Sequence, residues 1–434
     1  MTVKLIRGRL LTFLAEPQAA NDGASYRFEE DGAVLVEGGT IRAAGAFAEV
    51  KAAAGTAEIV DHRPHLLLPG FIDAHAHFPQ AQVIASFGAE LLDWLNTYTF
   101  PAETEFHDQV HAARIAASFL DELVRHGTTT AAVYCTVHPQ SAAACFAEAE
   151  RRGMCMVAGK VMMDRGAPRA LTDTPRSSYD DTKRLIEQWH GRGRLHYAIT
   201  PRFAITSTPE QMEVVQALVE EHPDLHVQTH LSENHAEIAL SCELYPDARD
   251  YTGIYEHYGL TGPKSLFGHC VHLSEREADV LSDSGSVAVF CPTSNLFLGS
   301  GLFDYKRYRR RAKPLRIAAA TDVGGGTNYS MLRTMDEGYK VVAYHGEKLN
   351  PLASFWQITR GNAEALSLES RIGTLEPGTD ADLVVLNACA TPAMRLRMER
   401  AETLAEELFV LQTLGDDRAV LETYVAGEAV KGGL

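Results

Sequence analysis

HLLLPGFIDAHAH, residues 65–77, is an apolar run that ends in two alternating histidines and is then broken by Phe78-Pro79-Gln80. Residues two apart in a strand point to one face, so His75 and His77 can both meet a single object. Taken alone, a His-x-His fits packing or surface histidines just as well. Its weight comes from the company it keeps along the chain.

Seven further β-rich runs follow before about Gly326: GTTTAAVYCT (127–136), GMCMVAGKVMM (153–163), RLHYAITPRF (194–203), LHVQTHLSE (225–233), SLFGHCVHL (265–273), SVAVFCPTSN (286–295) and LRIAAATDVG (315–324). Longer helical stretches lie between them, such as Thr104 to His126, Ser178 to His190 and Pro209 to Glu221. Thr208 before Pro209 suits a cap followed by proline in the first turn. Eight strands alternating with helices point to an α/β protein with a closed (β/α)₈ TIM-like barrel. A doubly wound open sheet is the alternative with the same alternation.

The two ends differ from the middle. KLIRGRLLTF (4–13) and GAVLVEGGTIRAAG (32–45) precede the first run; ADLVVLNA (381–388) and AVLETYVAGEAV (419–430) follow the last. An amphipathic helix, about Met398 to Leu414, separates the latter two. Neither end has enough strand to stand alone, so both are expected to build one small β-sandwich beside the barrel. The expected division is 1–64 and 372–434 for the sandwich and 65–371 for the barrel.

Of 434 residues, 40 are basic and 57 acidic, a net charge of −17. That balance argues against nucleic acid, anionic membrane or a strongly anionic substrate. Seven cysteines without a close-set framework fit reduced thiols in the cytoplasm. The opening MTVKLIRGRLLTFLA is interrupted by Arg7 and Arg9 and reads as strand rather than signal peptide. No run approaches the roughly 18 apolar residues of a membrane span.

In barrels of this class the chemistry gathers at the C-terminal strand ends. There the runs carry His75 and His77, then Arg202 with Phe203, His230 with Glu233 three residues on, His269, and Asp322. Imidazole and carboxylate suit zinc. The expected ligands are His75, His77, His230 and Asp322, with one Zn²⁺ per chain and a water in the open position. Glu233 is placed to move protons. His269 is a further ligand or, as favoured, a neighbour that holds the nucleophile or polarises the substrate. His65, His235 and His272 fall outside the pattern. His235-Ala236-Glu237 mimics the cytidine deaminase His-x-Glu, but that class needs a Pro-Cys pair and the chain has none.

The His-x-His after PGFID, then THLSE, GHC and ATDVGG, resemble the amidohydrolase superfamily in its single-zinc aminohydrolase branch. The resemblance covers nearly the whole chain. Runs 3 and 4 are read as ending without a lysine, which fits that branch, because two-metal members use a carboxylated lysine there. HFPQ (77–80), WLNTYTFP (94–101) and TPRF (200–203) further resemble the guanine deaminases, whereas CPTSN (291–295) is shared too widely to inform on substrate. The resemblance implies that Gln80 hydrogen-bonds a purine, Arg202 meets its ring carbonyl, Phe203 stacks on the base and Trp94 walls the pocket. It implies catalytic roles for Glu233, His269 and Asp322 in hydrolytic deamination of guanine to xanthine. The residues after Phe203 (AITS) depart from it by being more apolar. The expected partner is a small-molecule purine, with no nucleic acid or membrane and with a homodimer as the candidate assembly. Sister enzymes acting on 8-oxoguanine, a pterin or an s-triazine, and a non-catalytic barrel scaffold, are the competing readings.

Overall fold

The computed structural model describes residues 3–87 and 91–433. The strands are β1 Val3–Phe13, β2 Tyr26–Glu37, β3 Thr40–Ala46, β4 Glu58–Pro69, β5 Phe71–His77, β6 Thr128–Tyr134, β7 Cys155–Gly159, β8 Val161–Met162, β9 Leu195–Pro201, β10 His226–Leu231, β11 Ser265–His269, β12 Val287–Phe290, β13 Arg316–Ala319, β14 Leu383–Leu386, β15 Val420–Val425 and β16 Glu428–Ala429.

Eight of these form the parallel barrel, in the order β5-β6-β7-β9-β10-β11-β12-β13, with β8 paired beside β9. All eight expected runs contribute one barrel strand each. Every residue of β5, β6 and β7 is buried, because helices cover the outside of the barrel while side chains fill its interior. Successive side chains alternate between the two. Ala131 and Val133 pack outward against the helices, whereas Ala132 joins Ile72, Val157 and Leu266 inside.

Between the last strand and the first, other contacts replace the ladder. Asp322 N donates to His75 O (2.9 Å), and His77 N to Val323 O (3.1 Å). Below them Asn362 Nδ2 donates to Ile72 O (2.6 Å) and Ala319 O (2.8 Å). The Asp73 carboxylate accepts from Thr321 N (3.0 Å) and from its hydroxyl. The barrel is therefore closed by its own strand ends and by buried side chains.

The run 65–77 is two strands rather than one. β4 ends at Pro69 in the terminal sheet, and β5 starts at Phe71 in the barrel. Gly70 makes the crossing possible: an added Cβ would stand 2.2 Å from Thr129 Oγ1. The expected sandwich is one continuous sheet built from both ends of the chain, in the order β16-β15-β14-β4-β1-β2-β3. Leu67, Leu383 and Val385 face one apolar cluster with Ile6 and Val34, whereas Leu66, Leu68 and Val384 pack toward the barrel helices.

The helix Pro209–Glu221 is as expected, and Thr208 Oγ1 accepts from Gln211 N (3.2 Å). Thr104 to His126 is less regular. The long helix is Gln109–Arg125, capped by Asp108, after shorter turns over 100–107. The C-terminal helix expected from about Met398 begins later, as Leu404–Leu414 capped by Thr403, and a separate helix, Pro392–Met398, precedes it. Among the described residues no helix is long and apolar enough to cross a membrane.

Candidate active site

The end of β5 delivers His75 and His77 to the barrel mouth. Their Nε2 atoms lie 3.2 Å apart, and His77 Nε2 is also 3.2 Å from His230 Nε2 at the end of β10. Asp322, just past β13, places Oδ1 3.3 Å from His75 Nε2 and 3.5 Å from His77 Nε2. The ring of His230 donates from Nδ1 to Arg202 O (2.7 Å), which leaves Nε2 with its lone pair toward the cluster. Burial, then the neighbouring imidazoles, pushes His77 and His230 well below the ordinary histidine range, so these rings are neutral. Burial pushes Asp322 up, but its contacts with the neighbouring imidazoles, His75 first, outweigh it and hold the carboxylate low. Ring lone pairs and a carboxylate oxygen crowded this closely repel one another unless a cation lies among them. The donor set therefore fits a divalent metal ion, and three nitrogens with one oxygen suit zinc.

Backbone strain gathers at the same strand ends. Ser232, His269, Cys270 and Asp322 all have positive φ, between 50° and 73°. Non-glycine residues adopt that region at a cost, and such residues cluster at functional sites.

Glu233 lies beside the cluster. Ser300 Oγ donates to its Oε1 (2.8 Å), and Oε2 is 3.3 Å from His269 Nε2. With the Asn295 amide nitrogen donating to His269 Nδ1 (3.0 Å), the ring proton of His269 sits on Nε2, toward Glu233. His75, His230 and His269 are also close enough to share an ion. We nevertheless read His269 as a donor to Glu233, because that protonated Nε2 has no lone pair to give. Burial, then the carboxylates of Glu237 and Asp322, raises Glu233 well above the ordinary range.

Nine of the ten expected site residues line one cavity at the barrel mouth: His77, Gln80, Trp94, Arg202, Phe203, His230, Glu233, His269 and Asp322. His75 is behind the wall. Leu91, Leu95 and Leu298 complete the apolar part.

Four residues that sequence reasoning missed surround this set. Glu103 is 1% exposed and ion-paired with Arg202, whose Nη1 lies 3.0 and 2.8 Å from the two carboxylate oxygens. It also accepts from Gln80 Nε2 (2.9 Å). Tyr134, ending β6, packs its ring 4.6 Å from both His75 and His77. Ser300 and Asn295 hold Glu233 and His269 as described. Only Asn295 lay in a motif already noticed, CPTSN.

The reading of run 3 as free of a strand-end lysine needs correction. Lys160 directly follows β7 and is fully buried. Its ammonium pairs with Asp173 and donates to Val161 O (3.2 Å), so it is spent outside the metal-donor cluster. His235 likewise stays out, stacking on His272 at 4.0 Å.

A parallel barrel with imidazole and carboxylate donors at its strand ends defines a metal-dependent hydrolase. The amidohydrolase family model matches residues 66–430, and the chain belongs to that family. It is similar to the guanine deaminase of Escherichia coli (strain K12), 46% identical over 431 residues, covering 99% of this chain and 98% of that one. The solved structure of E. coli guanine deaminase matches with a TM-score of 0.94 over 99% of both chains. That of guanine deaminase from Bradyrhizobium japonicum gives 0.96 at 38% identity over 99% of both chains. The structure from C. acetobutylicum, with guanine bound in its active site, gives 0.88 at 28% identity, covering 99% of this chain and all of that one.

Proposed function

We infer that the chain is a guanine deaminase, which hydrolyses guanine to xanthine and ammonia. The observation that carries this reading is the pocket's two-sided chemistry. The metal-donor cluster and Glu233 form one wall, and the polar group Gln80–Glu103–Arg202 forms another, within a chain so similar to guanine deaminases along its length.

We place one zinc per chain on His75, His77, His230 and Asp322. A zinc held there lowers the pKa of water from 15.7 to about 7 and so supplies the nucleophile. Glu233 takes one proton of the attacking water on its carboxylate and passes it to the ring nitrogen beside the amine-bearing carbon; the second, from the hydroxyl so added, is carried to the amine, which leaves as ammonia while the carbonyl forms, a task suited to a carboxyl with a raised pKa. Asp322 shares the proton handling. His269 steadies Glu233 through the 3.3 Å contact of Nε2 with Oε2. Phe203 offers an aromatic face to the base, and Trp94 closes the wall and keeps water out. Arg202 donates to the ring carbonyl, and Gln80 holds the neighbouring ring nitrogen. Seven unpaired cysteines, five of them buried, support a reducing compartment, the cytoplasm.

The test is ammonia release by the metal-analysed protein from guanine, adenine, cytosine and an amino-s-triazine. Guanine should be turned over fastest. Faster turnover of the triazine overturns the substrate while keeping the metal-dependent hydrolase, and no turnover of any ring with metal bound overturns the enzyme.

A further inference from the structure

We propose that Glu103 is a positioning residue that sets which rings the pocket accepts: it fixes Gln80 and Arg202 so that together they read an N–H beside a C=O. The inference deepens the deaminase reading and rests on it.

A carboxylate can only accept hydrogen bonds. The Gln80 amide must therefore turn its nitrogen to Glu103, at 2.9 Å from Oε1, since the opposite orientation would set two oxygens face to face. This leaves Gln80 Oε1, which accepts no hydrogen bond among the described residues, as the atom offered to a ligand. It lies against Gly324, where an added Cβ would come within 2.0 Å of it, so a side chain there would displace the amide. Glu103 engages Arg202 through Nη1 alone, at 3.0 and 2.8 Å, and leaves its other N–H groups for a substrate oxygen. The pair also cancels its own charge, so the pocket suits a neutral ring.

One acceptor beside one set of donors matches a cyclic amide edge. In guanine that edge is N1–H with the C6 carbonyl, next to the amine-bearing carbon. The same edge occurs in every 2-amino-4-oxopyrimidine ring, including 8-oxoguanine and 2-amino-4-oxopteridine. 2-Aminopurine carries the same amine but offers a bare ring nitrogen and no carbonyl, so it leaves both Gln80 and Arg202 unmatched.

The experiment is the ratio of kcat/KM for guanine to that for 2-aminopurine in three proteins. In the wild type the ratio should be about 10⁴ or more, the level at which an unpaired buried polar group rejects an analogue. Glu103→Gln can donate to Gln80 and lets its amide turn over. That variant should lose about 10- to 100-fold on guanine while the ratio collapses by about tenfold or more, with metal content unchanged. Glu103→Asp remains acceptor-only and should keep the ratio near the wild-type value. A purely structural role would slow both substrates together. An unchanged ratio in Glu103→Gln, or an equal collapse in both variants, overturns the inference alone. A wild type that deaminates 2-aminopurine as fast as guanine does the same, and needs no variant to fold. A wild type inactive on both rings with metal bound overturns the deaminase reading itself.

Discussion

Among the described residues the Glu233 carboxylate bonds to Ser300 and pairs with His269 rather than with a metal donor, so its replacement leaves those donors intact. Glu233→Gln should therefore lower kcat by about 10²–10⁴-fold with metal content unchanged. Near-normal turnover would shift the proton work to Asp322. His77→Ala should sharply reduce bound zinc, whereas His235→Ala, stacked on His272 away from the cluster, should not; metal analysis of the two variants checks both, and two metals per chain in the wild type would overturn the single-site assignment. Arg202→Ala should cost stability as well as guanine turnover, because it strands the buried Glu103. Breaking one half of a buried ion pair typically costs about 3–5 kcal/mol, and the double variant with Glu103→Ala should recover part of it, as thermal unfolding would show. The expectation from sequence set Arg202 at the ring carbonyl and gave it no carboxylate partner. Glu103 was missed because a glutamate nearly a hundred residues earlier looks like any surface acid. Its burial exists only once the segment after Trp94 has folded over the mouth of the barrel. His75, His77, His230 and Asp322 were legible for the opposite reason: each ends a run whose type fixes where its last side chain goes.

Glu237 shows how an element holds the site. It occupies the third position of the helix His235–Leu244, whose cap is Asn234. Its Oε2 accepts from Asn234 N (3.0 Å) and Glu233 N (2.8 Å), and its Oε1 from Tyr251 OH (2.8 Å). Burial pushes its carboxyl up to about 7 from 4.5, against the pull of those hydrogen bonds. A carboxyl with a raised folded-state pKa binds its proton more readily when folded. Its contribution to stability is thus complete below about pH 4.5 and is lost as pH rises through about 7. The loss is on the order of 3 kcal/mol at 1.36 kcal/mol per unit. Glu237→Gln cannot titrate, so its melting temperature relative to the wild type should rise between pH 4.5 and 7.5; a constant difference would show that Glu237 does not titrate in that range. Elements were read from sequence where their ends were marked, as by Thr208 and Pro209. They were misread where burial on both faces erased the alternation. Nothing apolar distinguishes Leu68 of β4 from Phe71 of β5, and only the crowding at Gly70 separates the two sheets.

At the scale of the molecule, the barrel seam and the metal donors are one region. The strands that meet there hold each other through His75, His77, Asp322 and Val323 rather than through a ladder. An ion bound across β5, β10 and the end of β13 should brace that seam. Removing it with a chelator should lower the melting temperature, and zinc at about 100 times its Kd should restore on the order of 2.7 kcal/mol. The charge of −17 makes a different prediction. A neutral ring needs no electrostatic steering, so kcat/KM for guanine should change little between roughly 50 and 500 mM salt. A steep fall would point to a charged substrate. The pairing of β4 with β14 also has a consequence in time. Leu66 to Pro69 wait for Leu383 to Leu386, roughly 300 residues downstream, and at about 5–20 residues per second the ribosome needs roughly 15–60 s to supply them. Throughout that interval β4 has β1 on one side, but its other, leucine-rich edge stands finished and unpaired. Such an edge is a template for joining another chain. The newborn protein thus stays open to mistakes even after Asp322, the last of its metal donors, has been made, and a holding chaperone that covers the free edge of β4 would protect the yield of the enzyme without ever touching its active site.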